Sequence, residues 1–433
     1  MKTVAIIAEY NPFHNGHAYQ LNTIQQKFCA TTSNEREEVI RLVIQSGPFV
    51  QRGTPALLDP FDRAAMAVLG GADVVVELPT LFATGSAEIF AAGGVRLAQG
   101  LGAQCLAFGT EPLTTAVPAI SEFLLQLARY TTTEPYKEAV RTYLTQKIFY
   151  GSALTKALTD AYPQAIELLN KPNALLGLEY CKAISRYAPT IKPITIERHS
   201  QYNSTNLQPA LPSATAIRTA LASAGNGAAL SDATRNRVLA AMPSIIQPLF
   251  NDVLAKGALA NEQRFYDFVL LESRLASRLD LEKLADFGEG LASLWQQAAT
   301  MPTWDSLVKA VKSKRYSYAR LQRMAAYVLL HLKADLRREA HVTGPTYARL
   351  LAFNDKGRQW LKATEKTRMI PIITKWAPFR KHPERFVGDT NLPLVAQSIT
   401  IDARASSIQR LCFINPAYRN GDSYLLNSPR YIK

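Results

Sequence analysis

Two histidines near the start of the chain have a spacing suited to phosphate chemistry. The stretch AEYNPFHNGH covers residues 8–17 and places His14 and His17 three positions apart, with Gly16 between them. One helical turn would put both imidazoles on the same side. Such imidazoles can donate hydrogen bonds to phosphate oxygens and can carry positive charge as the phosphate becomes pentavalent. We therefore expect attack at an α-phosphate with pyrophosphate leaving, aided by positioning and electrostatic stabilisation.

The apolar run at residues 4–7 predicts a buried strand that ends in this loop. Ligands of open α/β sheets bind at the carboxyl ends of strands, so the histidines would lie at a ligand site. Gly16 would let a ligand approach the backbone, and the following helix would offer free N–H groups to an anion. The alternatives are a structural turn and a metal site with Glu9. Zinc needs three or four ligands, so we expect no metal here.

Five short apolar runs predict buried strands, and helical patterns lie between them. The runs are TVAIIAEY (3–10), VIRLVIQSG (39–47), ADVVVELP (72–79), AQCLAFGTE (103–111) and IKPITIER (191–198). The helical patterns are GHAYQLNTIQQKF (16–28), DPFDRAAMAVLGG (59–71) and SAEIFAAGGVRLAQGL (86–101). This alternation predicts βαβ units and a doubly wound parallel sheet of the α/β class.

The Gly-, Ala- and Ser-rich stretch at 222–232 predicts a boundary between a first domain, 1–225, and a second, 226–433. The second domain is expected to be mainly helical. A small strand–helix–strand unit is predicted within 346–376, and a last helix over 402–413.

The chain has 433 residues, a formal net charge of +14 and a pI of about 9.5, which fits a polyanionic partner such as nucleic acid. Its four cysteines are far apart with no CxxC pair, which argues against a zinc knuckle or a disulfide framework. No apolar run is long enough for a bilayer, and the N-terminal one is too short for a signal peptide. We expect a cytoplasmic protein with no membrane contact.

An ordered set of motifs resembles the tRNA(Met) cytidine acetate ligase family, within the HxGH nucleotidyltransferase superfamily related to class I aminoacyl-tRNA synthetases. The motifs are IIAEYNPFHNGH, SGPFVQRGTPALLD, ADVVVELP, SAEIFAAGGVRL, LAFGTE, PSATAIR and RYSYARLQR. The resemblance extends from residue 1 past the stretch LLAFNDKGR, which ends at residue 358. The resemblance implies a Rossmann-like nucleotidyltransferase domain followed by a basic, mostly helical RNA-binding region.

Family members use ATP with Mg²⁺ to activate acetate as acetyl-adenylate. They then transfer the acetyl group to the exocyclic amine of the wobble cytidine in elongator tRNA(Met), which gives N4-acetylcytidine. The resemblance implies the same reaction here. His14 and His17 are the expected catalytic residues, and we predict no protein partner.

The resemblance also implies ATP-binding positions. They are Ile7, Ala8, Glu9, Tyr10, Asn11, Pro12, Phe13, His14, Asn15, Gly16, His17, Ala18, Tyr19, Gln20, Gly109, Asn173, Arg198 and His199. Outside the first segment simpler roles stay open: a turn for Gly109, a helix cap for Asn173 and a solvated surface position for Arg198.

Two further groups of residues carry weaker signals. Ser213, Thr215 and Arg218 open a predicted helix and are secondary phosphate-binding candidates, with plain helix capping as the alternative. Arg52 could meet the tRNA or the acetyl-adenylate. The alternative for its loop is an Asp–Arg pair involving Asp59 and a nearby arginine, Arg52 or Arg63.

The basic segment 309–323 is predicted to bind RNA, because lysine and arginine neutralise phosphates and tyrosine can stack on an unpaired base. The candidates are Lys309, Lys312, Lys314, Arg315, Tyr316, Tyr318, Arg320 and Arg323. A solvated helix face is the alternative.

The chain departs from the family pattern at Pro48, Pro60, Asn203 and Ser204. Two other functions compete with the ligase. One is a small-molecule adenylyltransferase for a nucleotide or pantetheine phosphate, and the other is a non-catalytic RNA-binding protein.

Overall fold

The computed structural model describes residues 1–29, 38–113, 119–198, 213–222, 231–288, 290–313, 316–387, 391–421 and 423–433. Of the predicted site residues, His199, Lys314 and Arg315 lie outside these ranges, as do Asn203 and Ser204.

One sheet contains all the strands of the described chain. They are β1 (Lys2–Ala8), β2 (Val39–Ser46), β3 (Val74–Leu78), β4 (Cys105–Thr110), β5 (Lys192–Glu197), β6 (Ala348–Phe353), β7 (Ile372–Ile373) and β8 (Arg430–Tyr431). Their order is β5-β4-β1-β2-β3-β6-β7, and β8 pairs with β6. Strands β1 to β5 pair in parallel, which confirms the predicted α/β class.

The first half of the chain holds ten helices within the described ranges. They are α1 (Asn15–Cys29), α2 (Pro60–Leu69), α3 (Thr80–Ala83), α4 (Ala87–Gly100), α5 (Ile120–Tyr130), α6 (Glu134–Thr145), α7 (Tyr150–Ala161), α8 (Ala165–Leu169), α9 (Pro172–Tyr187) and α10 (Ala214–Ala222).

The described part of the second half is mostly helical, as the sequence predicts. Its helices are α11 (Asp232–Ala240), α12 (Gln247–Lys256), α13 (Glu262–Leu275), α14 (Arg278–Glu282), α15 (Leu291–Ala298), α16 (Trp304–Val311), α17 (Tyr318–Leu330), α18 (Ala334–Thr343), α19 (Asp355–Ala363), α20 (Trp376–Lys381), α21 (Glu384–Val387), α22 (Leu392–Leu411) and α23 (Ser423–Leu426). Among the described residues, no helix combines the length and apolarity needed to cross a membrane.

The central strands are apolar on both faces because helices cover both sides of the sheet. Alternate residues of β1 enter two different cores: Ala5 and Ile7 pack into one, and Val4 and Ile6 into the other. Strand β3 is buried at every position. A continuous apolar run is therefore the correct signature of these strands, and strict alternation is not.

The C-terminal segment completes the same sheet. The predicted strand–helix–strand unit is present as β6, α19 and β7, and β6 pairs antiparallel with β3. Helix α22 begins ten residues earlier than predicted, at Leu392, because Pro393 is tolerated in a first helical turn. The Asp402 carboxylate on this helix accepts hydrogen bonds from the Thr80 backbone (2.8 Å) and from the Tyr347 hydroxyl (2.6 Å). The domain boundary near residue 225 stays a prediction.

Candidate active site

A cavity of about 300 Å³ lies at the carboxyl ends of the central strands. Strand order reverses between β1 and β4, so this edge is the topological switch point of the sheet, as expected for a ligand site. The ends of β1, β4 and β5, the loop after β2 and the starts of α9 and α10 border the cavity.

The two histidines of the HxGH stretch stack against each other at the cavity. Their ring centroids are 3.7 Å apart at an interplanar angle of 24°. The Nδ1 atom of His14 accepts a hydrogen bond from the Gly16 backbone (3.1 Å), and that of His17 accepts one from the His14 backbone (3.3 Å). A neutral imidazole whose Nδ1 accepts carries its proton on Nε2. Both rings therefore present an Nε2–H donor.

Close packing holds the imidazoles in this arrangement. A Cβ added to Gly16 would lie 2.9 Å from Cε1 of His14, so the His14 ring occupies the space that glycine leaves open. Gly16 itself does not border the cavity, and the close approach of a ligand to its backbone stays a prediction. The Tyr10 ring lies 4.6 Å from that of His17, and both Tyr10 and His14 are buried. Few other orientations of the rings fit this packing.

Burial keeps both imidazoles neutral in the absence of nucleotide. It lowers the pKa of His14 to about 3, with the nearby cations Arg198 and Arg218 adding to the effect. The pKa of His17 is lowered well below its usual value by burial, by His14 and by Arg198. The imidazolium charge considered from the sequence is therefore disfavoured in the free protein. The pair acts there as two neutral hydrogen-bond donors.

The lowered pKa of His14 predicts a loss of stability in mild acid. Between the ordinary value of 6.5 and about 3, the unfolded chain binds a proton that folded His14 does not. The free energy of unfolding should therefore fall as the pH drops through this window, by about 1.4 kcal/mol per pH unit for one such group. Urea unfolding of the wild type and of His14→Asn between about pH 5 and 7 checks this, because the variant should show a shallower slope.

Gly109 and Arg198 meet across the pair formed by β4 and β5. A Cβ at Gly109 would lie 3.0 Å from both Cγ and Cδ of Arg198, and both residues border the cavity. The Arg198 backbone N–H donates to the Thr110 carbonyl (2.8 Å), which fixes the residue at the end of β5. Gly109 therefore has a specific steric role: it admits the arginine to the cavity edge.

Asn173 lies in the first turn of α9 and is held by Glu111, which the sequence analysis did not single out. Its side-chain amide donates to Oε1 of Glu111 (2.6 Å), and the same carboxylate accepts from the backbones of Asn173 and Ala174 (both 3.1 Å). Asn173 borders the cavity but does not cap the helix; Glu111 serves that purpose. The sequence feature that could have indicated Glu111 is its position at the end of the motif FGTE, directly after β4.

The start of α10 supplies a second set of polar groups. The hydroxyl of Ser213 accepts from the Ala216 backbone (3.0 Å), so the capping alternative applies to it. Arg218 donates to the Asn11 carbonyl (2.6 Å) and to the Thr215 hydroxyl (3.2 Å). These contacts tie the helix to the HxGH loop, and Ser213, Thr215 and Arg218 all border the cavity.

The structure brings together only part of the predicted ATP-binding segment. Ile7, Ala8, Glu9, Tyr10, Asn11, His14, His17 and Gln20 border the cavity, whereas Pro12, Phe13, Asn15, Gly16, Ala18 and Tyr19 do not. Asn15 instead donates to the carbonyls of Ala240 (3.2 Å) and, through its backbone, of Ala241 (3.0 Å). It anchors the helical region to α1.

Several cavity residues were missed from the sequence. They are Val50, Gln51, Thr54, Phe90, Phe108, Leu176, Tyr180, Ala214, Glu262 and Gln322. Seven of them lie within motifs quoted above, and that position was the available signal: Val50, Gln51, Thr54, Phe90, Phe108, Ala214 and Gln322. Glu262 begins α13, far along the chain, and no local pattern marks it.

The loop after β2 is fixed by interactions other than the predicted Asp–Arg pairs. Asp59 caps α2 by accepting from the Phe61 backbone (2.8 Å) and forms an ion pair with Arg410 (2.6 Å). Pro60 fits the first position of that helix, where proline is favoured. Arg63 is fully buried, and Arg52 borders the cavity as an exposed side chain.

The basic segment is two helices and not one. Helix α16 ends at Val311 and α17 begins at Tyr318. Tyr316 is only 4% exposed, with the Arg320 guanidinium 5.3 Å from its ring, whereas Tyr318 is 42% exposed. The rest of the described set is Lys309 and Lys312, which are exposed, and Arg323, which is half-buried. Tyr318 is thus the more accessible of the two tyrosines for stacking on a base.

The fold and the histidine pair define a nucleotidyltransferase of the HxGH class. In agreement, the HIGH Nucleotidyl Transferase family model matches residues 1–423. The tRNA(Met) cytidine acetate ligase of Alkaliphilus metalliredigens is 33% identical over 452 residues, covering 100% of this chain and 99% of the relative. That of Halothermothrix orenii is 31% identical and covers 97% of each chain. The chain belongs to the tRNA(Met) cytidine acetate ligase family and is an enzyme.

Solved structures agree with this assignment. The crystal structure of Thermotoga maritima TmcAL bound with α-thio ATP matches with a TM-score of 0.87 at 28% identity over 100% of both chains. The apo form of the same protein matches with a TM-score of 0.89 at 27% identity. That relative binds an ATP analogue.

Proposed function

We propose that this enzyme uses Mg-ATP to convert acetate to acetyl-adenylate and transfers the acetyl group to the wobble cytidine of elongator tRNA(Met). The observation that carries the proposal is the stacked pair His14 and His17, with both Nε2–H donors at the sheet's switch point. In the first step an acetate oxygen attacks the α-phosphate and pyrophosphate leaves. No protein nucleophile is required.

The charges around the cavity suit this step. Arg52, Arg198 and Arg218 border it and can neutralise the triphosphate. Neutral Nε2–H donors stabilise the charge that develops on the α-phosphate oxygens without needing a proton of their own. The negative charge of bound ATP would itself raise the pKa of the two imidazoles. Bound ATP thus favours protonation of the two imidazoles and makes them stronger hydrogen-bond donors.

The proposed RNA-binding segment lies beside this cavity. Gly53, in the loop after β2, has a φ of +84°, and a Cβ there would lie only 2.6 Å from Cα of Arg323. Helix α17 therefore packs directly on a loop that borders the cavity. RNA held by Lys309, Lys312 and Tyr318 would approach the cavity from this side.

Gly109→Val is expected to raise the KM for ATP. The added methyl groups would displace Arg198, and loss of a charge-assisted hydrogen bond of about 1.5–3 kcal/mol corresponds to roughly a 10- to 100-fold weaker interaction. Gly151→Val in α7 is the matched control, because a Cβ there meets no described atom within 4 Å. ATP titrations of both variants at saturating acetate would decide. Equal KM values would contradict the role given to Gly109.

ATP–pyrophosphate exchange measured without RNA tests the proposed function. We expect exchange that depends on acetate and is not supported by nicotinamide mononucleotide or phosphopantetheine. Exchange with either phosphate compound and none with acetate would establish the small-molecule adenylyltransferase instead. Absence of exchange with every substrate, with or without tRNA, would favour the non-catalytic RNA-binding protein.

A further inference from the structure

Two side chains from the helical region reach the cavity that holds the histidine pair. Glu262 is the first residue of α13, and Gln322 lies in α17. Tyr266 joins them: its hydroxyl donates to Oε1 of Glu262 (2.9 Å) and accepts from Nε2 of Gln322 (3.2 Å). The Tyr266 ring stacks on Trp304 with centroids 4.6 Å apart and 6° between planes. The three polar groups therefore form one hydrogen-bonded row, and the stacking on Trp304 fixes its central member, Tyr266.

The donors and acceptors along this row have a fixed order. Burial and the charge of Glu262 raise the pKa of Tyr266, so the phenol keeps its proton and donates it to the carboxylate. Oε2 of Glu262 receives no hydrogen bond from any residue in the described ranges. An amide nitrogen carries two protons, and only one of those on Gln322 is directed to Tyr266. The row thus offers a ligand one anionic acceptor and one amide donor, which are joined through the Tyr266 hydroxyl.

This order matches the edge of a cytosine base. Cytosine presents its exocyclic N4–H₂ donor next to the N3 acceptor, and a carboxylate is a suitable acceptor for the amine. Uracil has a carbonyl where cytosine has the amine, so a carboxylate would repel it. The row lies in the same cavity as the histidine pair, where acetyl-adenylate would form.

We propose that Glu262, positioned by Tyr266 and Gln322, binds the acceptor cytosine and acts as the general base for acetyl transfer. The inference rests on the proposed function. N4 attacks the carbonyl carbon of acetyl-adenylate and a C–N bond forms. The bond from that carbon to the bridging oxygen breaks, and AMP leaves with the electron pair. The proton lost from N4 goes to the carboxylate of Glu262.

Separate assays of the two steps test this role. In Glu262→Gln, acetate-dependent ATP–pyrophosphate exchange should be unchanged, because adenylation does not use the carboxylate. Single-turnover acetylation of an anticodon stem-loop RNA with loop sequence CAU should fall by about 10²- to 10⁴-fold, the usual contribution of a general base. Asp267→Asn, on an exposed position of the same helix, is the control and should affect neither step.

A competition assay adds a measurement of base recognition. The competitors are the same anticodon stem-loop with either uridine or N4-methylcytidine in place of the acceptor cytidine. The uridine RNA should inhibit the wild type at least tenfold less well than the N4-methylcytidine RNA. Glu262→Gln should lose this preference, since an amide can also donate a hydrogen bond to the uracil carbonyl. Normal acetyl transfer by Glu262→Gln, or loss of its ATP–pyrophosphate exchange, would overturn the role assigned to Glu262 and leave the proposed function standing. Absence of acetate-dependent exchange in the wild type would overturn the proposed function and this inference with it.

Discussion

Replacing His17 with asparagine is expected to slow acetate-dependent adenylation by about 10²- to 10³-fold, the usual cost of removing one donor from a preorganised transition-state site. Asparagine can still accept the His14 backbone N–H that His17 accepts now at 3.3 Å, so the loop keeps its shape. It cannot place a donor where Nε2 lies. The exchange rate at saturating ATP and acetate is the measurement, because the loss should appear in kcat.

His17→Gln is the matched comparison for this prediction. The glutamine amide reaches close to the position of Nε2 and restores a neutral donor, so we expect a rate within about tenfold of the wild type. Equal losses in the two variants would show that the imidazole acts through its charge or as a base. Unchanged rates in both would remove His17 from the mechanism.

Arg63→Met is expected to lower the free energy of unfolding by about 3–5 kcal/mol, because each buried carbonyl left without its hydrogen bond costs about 1–3 kcal/mol. The Arg63 guanidinium is completely buried and donates to the carbonyls of Glu9 (2.5 Å), Ser46 (2.9 Å), Leu58 (3.2 Å) and Gly47. Burial lowers its pKa only to about 10, so the group stays charged at neutral pH. Its loss would leave carbonyls at the ends of β1 and β2 unsatisfied.

Urea unfolding of Arg63→Met against Arg129→Met, an exposed position on α5, measures this effect. The exposed variant should differ from the wild type by less than about 0.5 kcal/mol. A small loss in Arg63→Met would mean that water or rearranged neighbours satisfy the freed carbonyls. An effect of Arg63→Met on adenylation can be tested as well, because these carbonyls lie at or next to the two loops that border the cavity.

The parallel core and the histidine pair could be predicted because their signals are local. Strand β3 is an apolar run interrupted only by Glu77 and closed by Pro79, and His14 and His17 are separated by a single turn. By contrast, β6 joins the sheet from more than 250 residues away, and its pairing with β3 depends on long-range packing that no local pattern encodes.

The chemistry of the site was only partly visible for the same reason. The pattern HxGH shows two imidazoles, but their neutral state follows from burial and from Arg198, with Arg218 adding to the effect at His14; both arginines are distant in the chain. Glu262 likewise reaches the cavity through the fold of the helical region. The sequence indicates the reacting pair, whereas the tertiary structure determines its protonation state and brings Glu262 to the same cavity.

Transfer of isotope from acetate tests the central claim most directly. With acetate labelled by ¹⁸O in both oxygens, attack of the carboxylate on the α-phosphate places one labelled oxygen between carbon and phosphorus. Acetyl transfer to cytidine then breaks the bond from carbon to that oxygen. We predict that the AMP released carries one ¹⁸O and that the acetylcytidine carries the other. Unlabelled AMP, or label recovered in inorganic phosphate, would contradict activation of acetate as an adenylate.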